Sequence, residues 1–413
     1  MRMDRLLKIS PRAGFTAALL FAVLLPAARP AAAYVMTGLE ALEKQDFAQL
    51  EGKRVGVITN QTGVDAAGRS VVDALFNSPR VKLTAIFSPE HGFRGTAADG
   101  ELISNSTDPA TGLPVYSLYG KTTRPTAAML AGIDVLVFDI QDVGARFYTY
   151  LTTMALCMEE AAKRGISFVV LDRPNPITGS VLEGPLLGDS AANGFTGYFP
   201  VPVRHGFTPG EMAMFHKDRK KLDLDLSVIK LQGWDRRMYY DETGLNWVAP
   251  SPNIRGVDAA LLYPAIGGFE STNMSVGRGT DSPFLWFGAP WLDAGLLAAT
   301  LNSAGLKGVR FSVEDRTPLL DIYTGRLCHG VKIEITDRSV VRPMEIFVTA
   351  VCALRDKARY AGFEVRAADF RLLAGNNVYK AIFESKDAPE KIIADFAGQC
   401  RDFDALRTKY LLY

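Results

Sequence analysis

Residues 135–150 read Val-Leu-Val-Phe-Asp-Ile-Gln-Asp-Val-Gly-Ala-Arg-Phe-Tyr-Thr-Tyr. The apolar run 135–138 has no polar face, which is typical of a strand covered on both sides in a parallel sheet. Polar side chains follow at once, at the carboxyl end of the predicted strand: Asp139, Gln141, Asp142 and Arg146. Open α/β sheets bind their ligands at that end of their strands, so this stretch predicts a central strand and a functional site.

Three more apolar runs in the first half of the chain end in the same way. Residues 55–58 lead into Thr-Asn-Gln-Thr-Gly, residues 83–87 into Ser-Pro-Glu-His-Gly, and residues 168–171 into Asp-Arg-Pro-Asn-Pro. The alternation of strand and helix patterns predicts an α/β fold with a doubly wound parallel sheet, and the four polar clusters are expected at one edge of it. Residues 96–125 are rich in Gly, Thr, Ser, Asp and Pro and are predicted to form a long functional loop.

The chain length and charge limit the domain organisation and the partners. A chain of 413 residues exceeds the size at which a single core usually keeps growing, so we expect two domains. Residues 222–226 alternate as in a half-exposed strand, and we place a boundary there, giving domains 34–222 and 223–413. The 46 basic and 45 acidic residues form no basic stripe, which argues against nucleic acid as a partner.

Residues 1–33 have the pattern of a signal peptide. Basic residues precede the apolar run 17–25, and Ala31-Ala32-Ala33 offers small side chains for cleavage before Tyr34. The run is shorter than the roughly 20 residues needed to span a bilayer, so we expect no membrane association after cleavage. The mature protein is predicted to be exported, either to the periplasm or to the medium.

Several catalytic, cofactor and metal motifs are absent from the sequence. There is no Gly-x-Ser-x-Gly elbow, no phosphate-binding Gly-x-x-x-x-Gly-Lys loop and no Gly-x-Gly-x-x-Gly turn, so we expect no cofactor. The four histidines are widely spaced and predict no metal site, although His91 with Asp139 and Asp142 can in principle form one. The four cysteines follow neither a metal nor a disulfide pattern, and Cys157 is expected to be a buried free thiol.

Carboxylates remain as the candidate catalytic groups. Hydrolysis of a glycosidic bond needs an acid to protonate the leaving oxygen and usually a second group at the anomeric carbon. Glu90, in the short loop 88–92 after a buried strand, suits the first role, and Asp142 and Asp139 suit the second. The structural alternative is a helix cap or an ion pair with Arg94 for Glu90, and a buried pair with Arg146 or Arg173 for the two aspartates.

Five segments together resemble the exo-β-N-acetylmuramidase family of the NamZ type: residues 59–63, 88–92, 138–146, 171–176 and 275–280. The resemblance covers nearly all of the mature chain. It implies a Rossmann-like N-terminal domain without a nucleotide, a second, smaller α/β domain, and an active site in the cleft between them. It also implies release of N-acetylmuramic acid from the non-reducing end of peptidoglycan fragments, with the glutamate of the Pro-Glu-His-Gly motif, Glu90, as the catalytic residue.

The implied substrate suggests which residues bind it. Muramic acid differs from glucosamine by a lactyl carboxylate, which an arginine can hold with two hydrogen bonds. The candidates are Arg146, Arg173, Arg204 and Arg278, of which we favour Arg173 and Arg278. The other candidate binding residues are amides, histidines and one carboxylate from the same loops: Asn60, His91, Asn175, His205, Asn253, Glu270 and Asn273.

Further features concern the second half of the chain and the alternatives to this function. Its tryptophans, including Trp247, Trp286 and Trp291, either stack on sugar rings or form a second core. Arg255 stands where the family resemblance leads us to expect a proline. Two alternatives remain at this point: a periplasmic protein that binds muropeptides without catalysis, and a metal-dependent hydrolase.

Overall fold

The stretch 135–139 forms a central strand of a seven-stranded sheet. A computed structural model describes residues 34–95, 104–188 and 193–413. The strands are β1 (Arg54–Thr59), β2 (Lys82–Ser88), β3 (Ser106–Thr107), β4 (Pro114–Ser117), β5 (Val135–Asp139), β6 (Ser167–Leu171) and β7 (Leu226–Ile229). They lie in the order β3-β4-β2-β1-β5-β6-β7. Neighbouring strands are parallel except for β3 and β4, so the carboxyl ends of β1, β2, β5 and β6 meet at one edge.

Helices cover both faces of this sheet. They are α1 (Gly38–Lys44), α2 (Val71–Phe76), α3 (Tyr150–Ala162) and α4 (Pro209–Lys220). Successive side chains of a strand point to opposite faces. Val135 and Val137 accordingly pack in the core with α1 and α2, while Leu136 and Phe138 pack in the core with α3 and α4. Burial on both faces explains why β5 has no polar alternation.

The second half of the chain builds a smaller sheet with its own helices. It comprises α5 (Val257–Ile266), β8 (Trp286–Ala289), α6 (Ala294–Ser303), β9 (Val309–Val313), β10 (His329–Ile335), α7 (Pro343–Leu354), α8 (Ala367–Leu373), α9 (Asn376–Tyr379) and α10 (Pro389–Arg407). The three strands are antiparallel, in the order β8-β10-β9. The predicted α/β fold, with a doubly wound parallel sheet and a smaller α/β part, is confirmed.

The predicted domain limits stay a prediction. The described residues from Tyr34 onwards lie in one compact unit. β7 pairs with β6, so the large sheet continues past residue 222, where we expected it to end. The predicted signal peptide lies outside the described residues.

The segment predicted to be one long loop contains β3 and β4. Residues 96–103 lie outside the described part of the chain, but Val115 of β4 pairs with Ile86 of β2 and enters the core. β4 therefore forms by pairing with the edge of β2 that faces away from β1, although the local composition favours a loop. Cys157 is a buried free thiol, as predicted. Among the helices described, none has the length and apolar character needed to cross a bilayer.

Candidate active site

Glu90 lies in a turn that follows β2 directly. Pro89 restricts Ser88 to an extended backbone, so the strand continues up to the turn. His91 and Gly92 then adopt left-handed conformations, with φ angles of 68° and 76°. A histidine in this region is uncommon, and strained residues of this kind concentrate at functional sites. The turn brings Glu90 and His91 to the wall of the same cavity.

Thr149, the residue before α3, orients the Glu90 side chain. A threonine at this position usually caps the helix with its hydroxyl, but Thr149 makes no such bond. Its hydroxyl instead donates to Glu90 Oε2 at 2.7 Å. The Tyr119 hydroxyl also hydrogen-bonds to Glu90, and burial together with that carboxylate raises the pKa of Tyr119 to about 12. Two hydroxyl groups therefore fix the position of the Glu90 carboxyl group.

Glu90 and His91 line a cavity of about 220 Å³, which we call the inner cavity. One wall comes from the segment that leads into α3, and the facing wall comes from α5 and the residues after it. The other lining residues are Phe147, Tyr148, Thr149, Thr196, Ser251, Tyr263, Glu270, Arg278, Phe284 and Leu373. Residues from both halves of the chain thus meet at the carboxyl edge of the large sheet.

The Tyr148 hydroxyl is a further polar group in this wall. Its oxygen is buried, and Ser251 and Tyr150 are its neighbouring hydrogen-bonding groups. Burial raises the pKa of Tyr148 well above its usual value, so the side chain is a neutral hydrogen-bond donor.

Glu270 supplies a second carboxyl group to the inner cavity. Arg278 donates from Nη2 and Nε to Glu270 Oε1 at 2.6 and 2.9 Å, and its Nε lies 3.9 Å from Asp321 Oδ2. Burial raises the pKa of Glu270, and the negative charges of Asp321 and Glu90 add to the rise. The hydrogen bonds from Arg278 favour the ionised form and oppose that rise. The inner cavity thus has two carboxyl groups, Glu90 and Glu270, and an arginine that donates hydrogen bonds to Glu270.

Glu270 and Arg278 also line a second cavity of about 540 Å³, which we call the outer cavity. Gly279, next to Arg278, has a φ of 75°, and a Cβ atom there would lie 2.2 Å from the Leu320 nitrogen. A residue without a side chain is needed at this position because the segment around Leu320 packs directly on it. This contact forms one wall of the outer cavity.

Asp139 and Arg173 form a buried ion pair. Arg173 donates from Nε to Asp139 Oδ1 at 2.5 Å and from Nη2 to Oδ2 at 3.0 Å. Asp139 is 0% exposed and Arg173 is 3% exposed, and neither lines the inner or the outer cavity. Their positions argue against the catalytic role predicted for Asp139 and the substrate-binding role predicted for Arg173.

Asp142 and His205 lie behind the wall of the inner cavity rather than in it. Asp142 Oδ2 accepts from the Gly144 nitrogen at 2.7 Å and lies 3.6 Å from His205 Nε2. Burial raises the pKa of Tyr263, and Asp142 adds to this effect after Glu270 and Glu90. His205 contacts Asp142 instead of lining the inner cavity, and Asp142 is not positioned as the second catalytic carboxylate.

Most of the other predicted binding residues hold the main chain in place. Arg146 donates hydrogen bonds to the carbonyls of Pro185, Val201 and Leu373. Asn175 donates to the carbonyl of Phe207, and Asn273 donates to that of Gly362. Asn60 accepts from the main-chain nitrogen and the hydroxyl of Thr62. Arg204 is fully buried 3.8 Å from Glu183. Only part of the predicted set lines the two cavities: Glu90, His91, Asn253, Glu270 and Arg278.

Several residues that line the inner cavity were not predicted from the sequence, among them Tyr148, Thr149 and Tyr263, and the role of the tryptophans was left open. Tyr148 and Thr149 stand in the stretch 135–150, so their place after a strand end was a usable signal, whereas Tyr263 lies in the apolar helix α5. Trp286 is fully buried, and Trp247 and Trp291 pack against the core. None of these three tryptophans lines either cavity, which favours the second-core alternative.

The metal alternative finds no support in the arrangement of side chains. Across residues 34–95, 104–188 and 193–413, no group of three or more His, Cys, Asp or Glu side chains is suited to hold a metal ion. His91, Asp139 and Asp142 therefore do not form the site that their sequence positions allowed. Asp139 is committed to Arg173 instead.

Comparison with known proteins gives consistent matches along the chain. The B. subtilis (strain 168) protein named peptidoglycan β-N-acetylmuramidase NamZ is 44% identical over 379 residues, which cover 92% of this chain and 91% of that protein. Two crystal structures of DUF1343 family proteins from Bacteroides fragilis are also similar. The first has a TM-score of 0.85 and 38% identity, covering 93% of this chain and 100% of that one. The second has a TM-score of 0.75 and 30% identity, covering 92% and 99%.

Two family models also match the chain, one in each half. The model described as exo-β-N-acetylmuramidase NamZ, N-terminal, matches residues 55–258, and its C-terminal counterpart matches residues 261–413. The N-terminal match takes in the loop of Glu90, and the C-terminal match takes in Glu270 and Arg278. This protein therefore belongs to the exo-β-N-acetylmuramidase NamZ family.

Proposed function

We propose that this protein is an exo-acting glycoside hydrolase that releases N-acetylmuramic acid from the non-reducing end of peptidoglycan fragments, in cell-wall turnover or recycling. The observation that carries this proposal is the inner cavity, which holds two carboxyl groups, Glu90 and Glu270, together with one arginine. Its volume of about 220 Å³ is below the roughly 300–1,000 Å³ of sites for drug-sized ligands. A cavity of this size has room for one sugar unit, which suits removal of terminal residues.

In this proposal Glu90 is the acid. Its carboxyl group gives a proton to the glycosidic oxygen while the bond from that oxygen to the anomeric carbon breaks and the electron pair stays on the oxygen. Glu270, with its carboxylate held by Arg278, faces the positive charge that develops on the sugar. A water molecule then forms the new bond to the anomeric carbon and loses its proton to a carboxylate.

Further polar groups of the inner cavity select the sugar. Arg278 is the arginine in its lining and is suited to the lactyl carboxylate of muramic acid. His91 is suited to the acetamido group or a ring hydroxyl. Phe147 and Phe284 supply apolar surface for the C–H face of the ring.

Turnover of a defined substrate tests the proposed function. The purified protein is expected to release free N-acetylmuramic acid from a disaccharide of N-acetylmuramic acid and N-acetylglucosamine, detected by chromatography. A protein that only binds saccharides gives a calorimetric binding signal and no free sugar. Loss of activity after treatment with a chelator would revive the metal-dependent alternative.

The location of the protein is a further proposal. The basic residues and the apolar run 17–25 support export through a cleaved signal peptide, to the periplasm or the medium, where peptidoglycan is accessible. We expect the protein recovered outside the cytoplasm to begin at Tyr34, as measured by intact-mass spectrometry. A full-length chain found only in the cytoplasmic fraction would contradict export.

A further inference from the structure

The outer cavity is connected to the inner cavity by shared residues. Glu270 and Arg278 line both, so the two cavities adjoin at this pair. The volume of about 540 Å³ exceeds that of the inner cavity and is sufficient for further units of a saccharide. The proposed function accounts for the inner cavity and leaves the outer cavity without an assigned ligand.

Arginine side chains give the outer cavity an excess of positive charge. Its lining includes Arg255, Arg278 and Arg366 but only two carboxylates, Glu270 and Asp321. Both carboxylates lie within 4 Å of Arg278, at 2.6 and 3.9 Å. The charges of Arg278 and its partners therefore largely offset one another, and the other two arginines determine the sign of the net charge in the cavity lining.

Arg255 is held in place by main-chain carbonyls and not by an acid. Its Nε donates to the Pro252 carbonyl at 3.1 Å and its Nη1 to the Thr280 carbonyl at 3.2 Å. Within the described ranges no carboxylate lies at ion-pair distance from Arg255, although the side chain is exposed. A guanidinium that is oriented before binding loses less freedom when it binds an anion. The guanidinium of Arg255 is thus already oriented when it binds a carboxylate.

Arg366 is also held by main-chain carbonyls, and one of them belongs to Glu270 of the active site. It donates from Nη1 to the Thr272 carbonyl at 2.9 Å and from Nη2 to the Glu270 carbonyl. Its Nε donates to Asp369 at 2.8 Å, so its charge is partly compensated. Of the two arginines, Arg255 therefore has the larger share of uncompensated charge.

An exposed apolar side chain accompanies these charges. Leu320 is 62% exposed and lines the outer cavity, and together with Arg255 it also lines a shallow groove that continues beyond it. An apolar surface next to a cation suits a sugar ring that bears a carboxylate substituent. The chemistry of the ligand is therefore that of an acidic sugar.

We propose that the outer cavity binds the part of the substrate beyond the scissile bond, and that Arg255 recognises a carboxylate carried there by a second muramoyl unit. This inference rests on the proposed function. The carboxylate has two possible sources, the free lactyl group of that unit or a peptide attached to it. Arg255 thus sets a preference for longer acidic fragments over a disaccharide that lacks the second carboxylate.

Binding measurements on the full mature chain test this proposal. We would measure Kd by calorimetry in a Glu90→Gln background, so that the substrate is not consumed, with and without Arg255→Ala. The ligands are the disaccharide of N-acetylmuramic acid and N-acetylglucosamine, its tetrasaccharide repeat, and the tetrasaccharide with the internal carboxylate converted to an amide. We expect Arg255→Ala to weaken binding of the acidic tetrasaccharide about tenfold, and that of the other two ligands less than about twofold.

Two further variants control for the effect of charge, and one further ligand identifies the source of the carboxylate. Arg255→Lys is expected to retain part of the preference, and Arg310→Ala, an exposed arginine on β9, is expected to change no Kd. A tetrasaccharide with a peptide on its internal lactyl group assigns the contact to the peptide if its binding still depends on Arg255, and to the free lactyl carboxylate if the dependence disappears.

Two outcomes would overturn the proposal. An equal loss of affinity for the disaccharide and the tetrasaccharide would place the contact on the sugar that is cleaved, and no loss for any ligand would remove Arg255 from the site. Failure of the proposed function is a separate result, namely no release of sugar from the disaccharide by the wild-type protein. The Kd comparison remains interpretable in that case because it does not depend on turnover.

Discussion

Replacing Glu90 with glutamine is expected to lower kcat for release of N-acetylmuramic acid by about 100- to 10,000-fold. The amide keeps the shape of the side chain and can still accept the hydrogen bond from Thr149. It cannot give a proton to the leaving oxygen, so the step that breaks the glycosidic bond loses its acid. The measurement is the initial rate of free sugar formation at saturating disaccharide.

Folding of the Glu90→Gln variant provides the first control. Glu90 is only partly buried, so circular dichroism and the midpoint of urea unfolding should match those of the wild type. Glu270→Gln is the matched variant at the other carboxyl group, and we expect it to lower kcat by about 100-fold as well. Turnover of Glu90→Gln within tenfold of the wild-type rate would remove Glu90 from the mechanism, and an unchanged Glu270→Gln rate would remove Glu270.

Replacing Asp139 with alanine is expected to lower the free energy of unfolding by about 3–5 kcal/mol. The substitution leaves the Arg173 guanidinium buried without its carboxylate, because Arg173 is 3% exposed. Desolvation of that unpaired charge, rather than loss of the attraction itself, accounts for most of the cost. Urea unfolding followed by fluorescence measures this difference.

An exposed ion pair serves as the control for Asp139. Arg54 and Asp134 lie 2.7 Å apart with side chains 48% and 35% exposed, and Asp134→Ala should destabilise the protein much less than Asp139→Ala. Replacing Arg173 with methionine in the Asp139→Ala background should recover much of the lost stability, since no unpaired charge remains. An Asp139→Ala variant that is as stable as the wild type but inactive would contradict the structural role and return Asp139 to the catalytic candidates.

Polar residues at the strand ends of this protein serve two different purposes. The residues directly at the ends of β5 and β6, such as Asp139 and Arg173, are sealed by the helices on both faces and pair with each other. Glu90, two residues after β2, and Thr149, directly before α3, instead line the inner cavity. A polar cluster after a strand is therefore a sign of the correct edge, but its first charged residue can be structural.

Local sequence patterns were sufficient for the sheet and for one side of the site. The unbroken apolar run of β5 predicted a strand buried on both faces, and helices on both faces confirm it. The loop of Glu90 was predicted as a catalytic loop because proline and glycine constrain it and because it follows a buried strand. The segment 96–125 was predicted less well, since β4 forms through pairing with β2, a contact that local composition does not encode.

The sequence by itself determined the α/β architecture, the edge of the sheet where polar residues collect, and Glu90 as a candidate, because strand periodicity and turn chemistry are local properties. Only the tertiary structure decided which carboxylates face the cavity. Asp139 and Asp142 follow the same strand, yet one pairs with Arg173 and the other lies behind the wall. Glu270 stands about 180 positions after Glu90 in the chain, and it faces the same cavity because folding brings the two halves of the chain together. The tertiary structure therefore decides which charged side chains line the cavity.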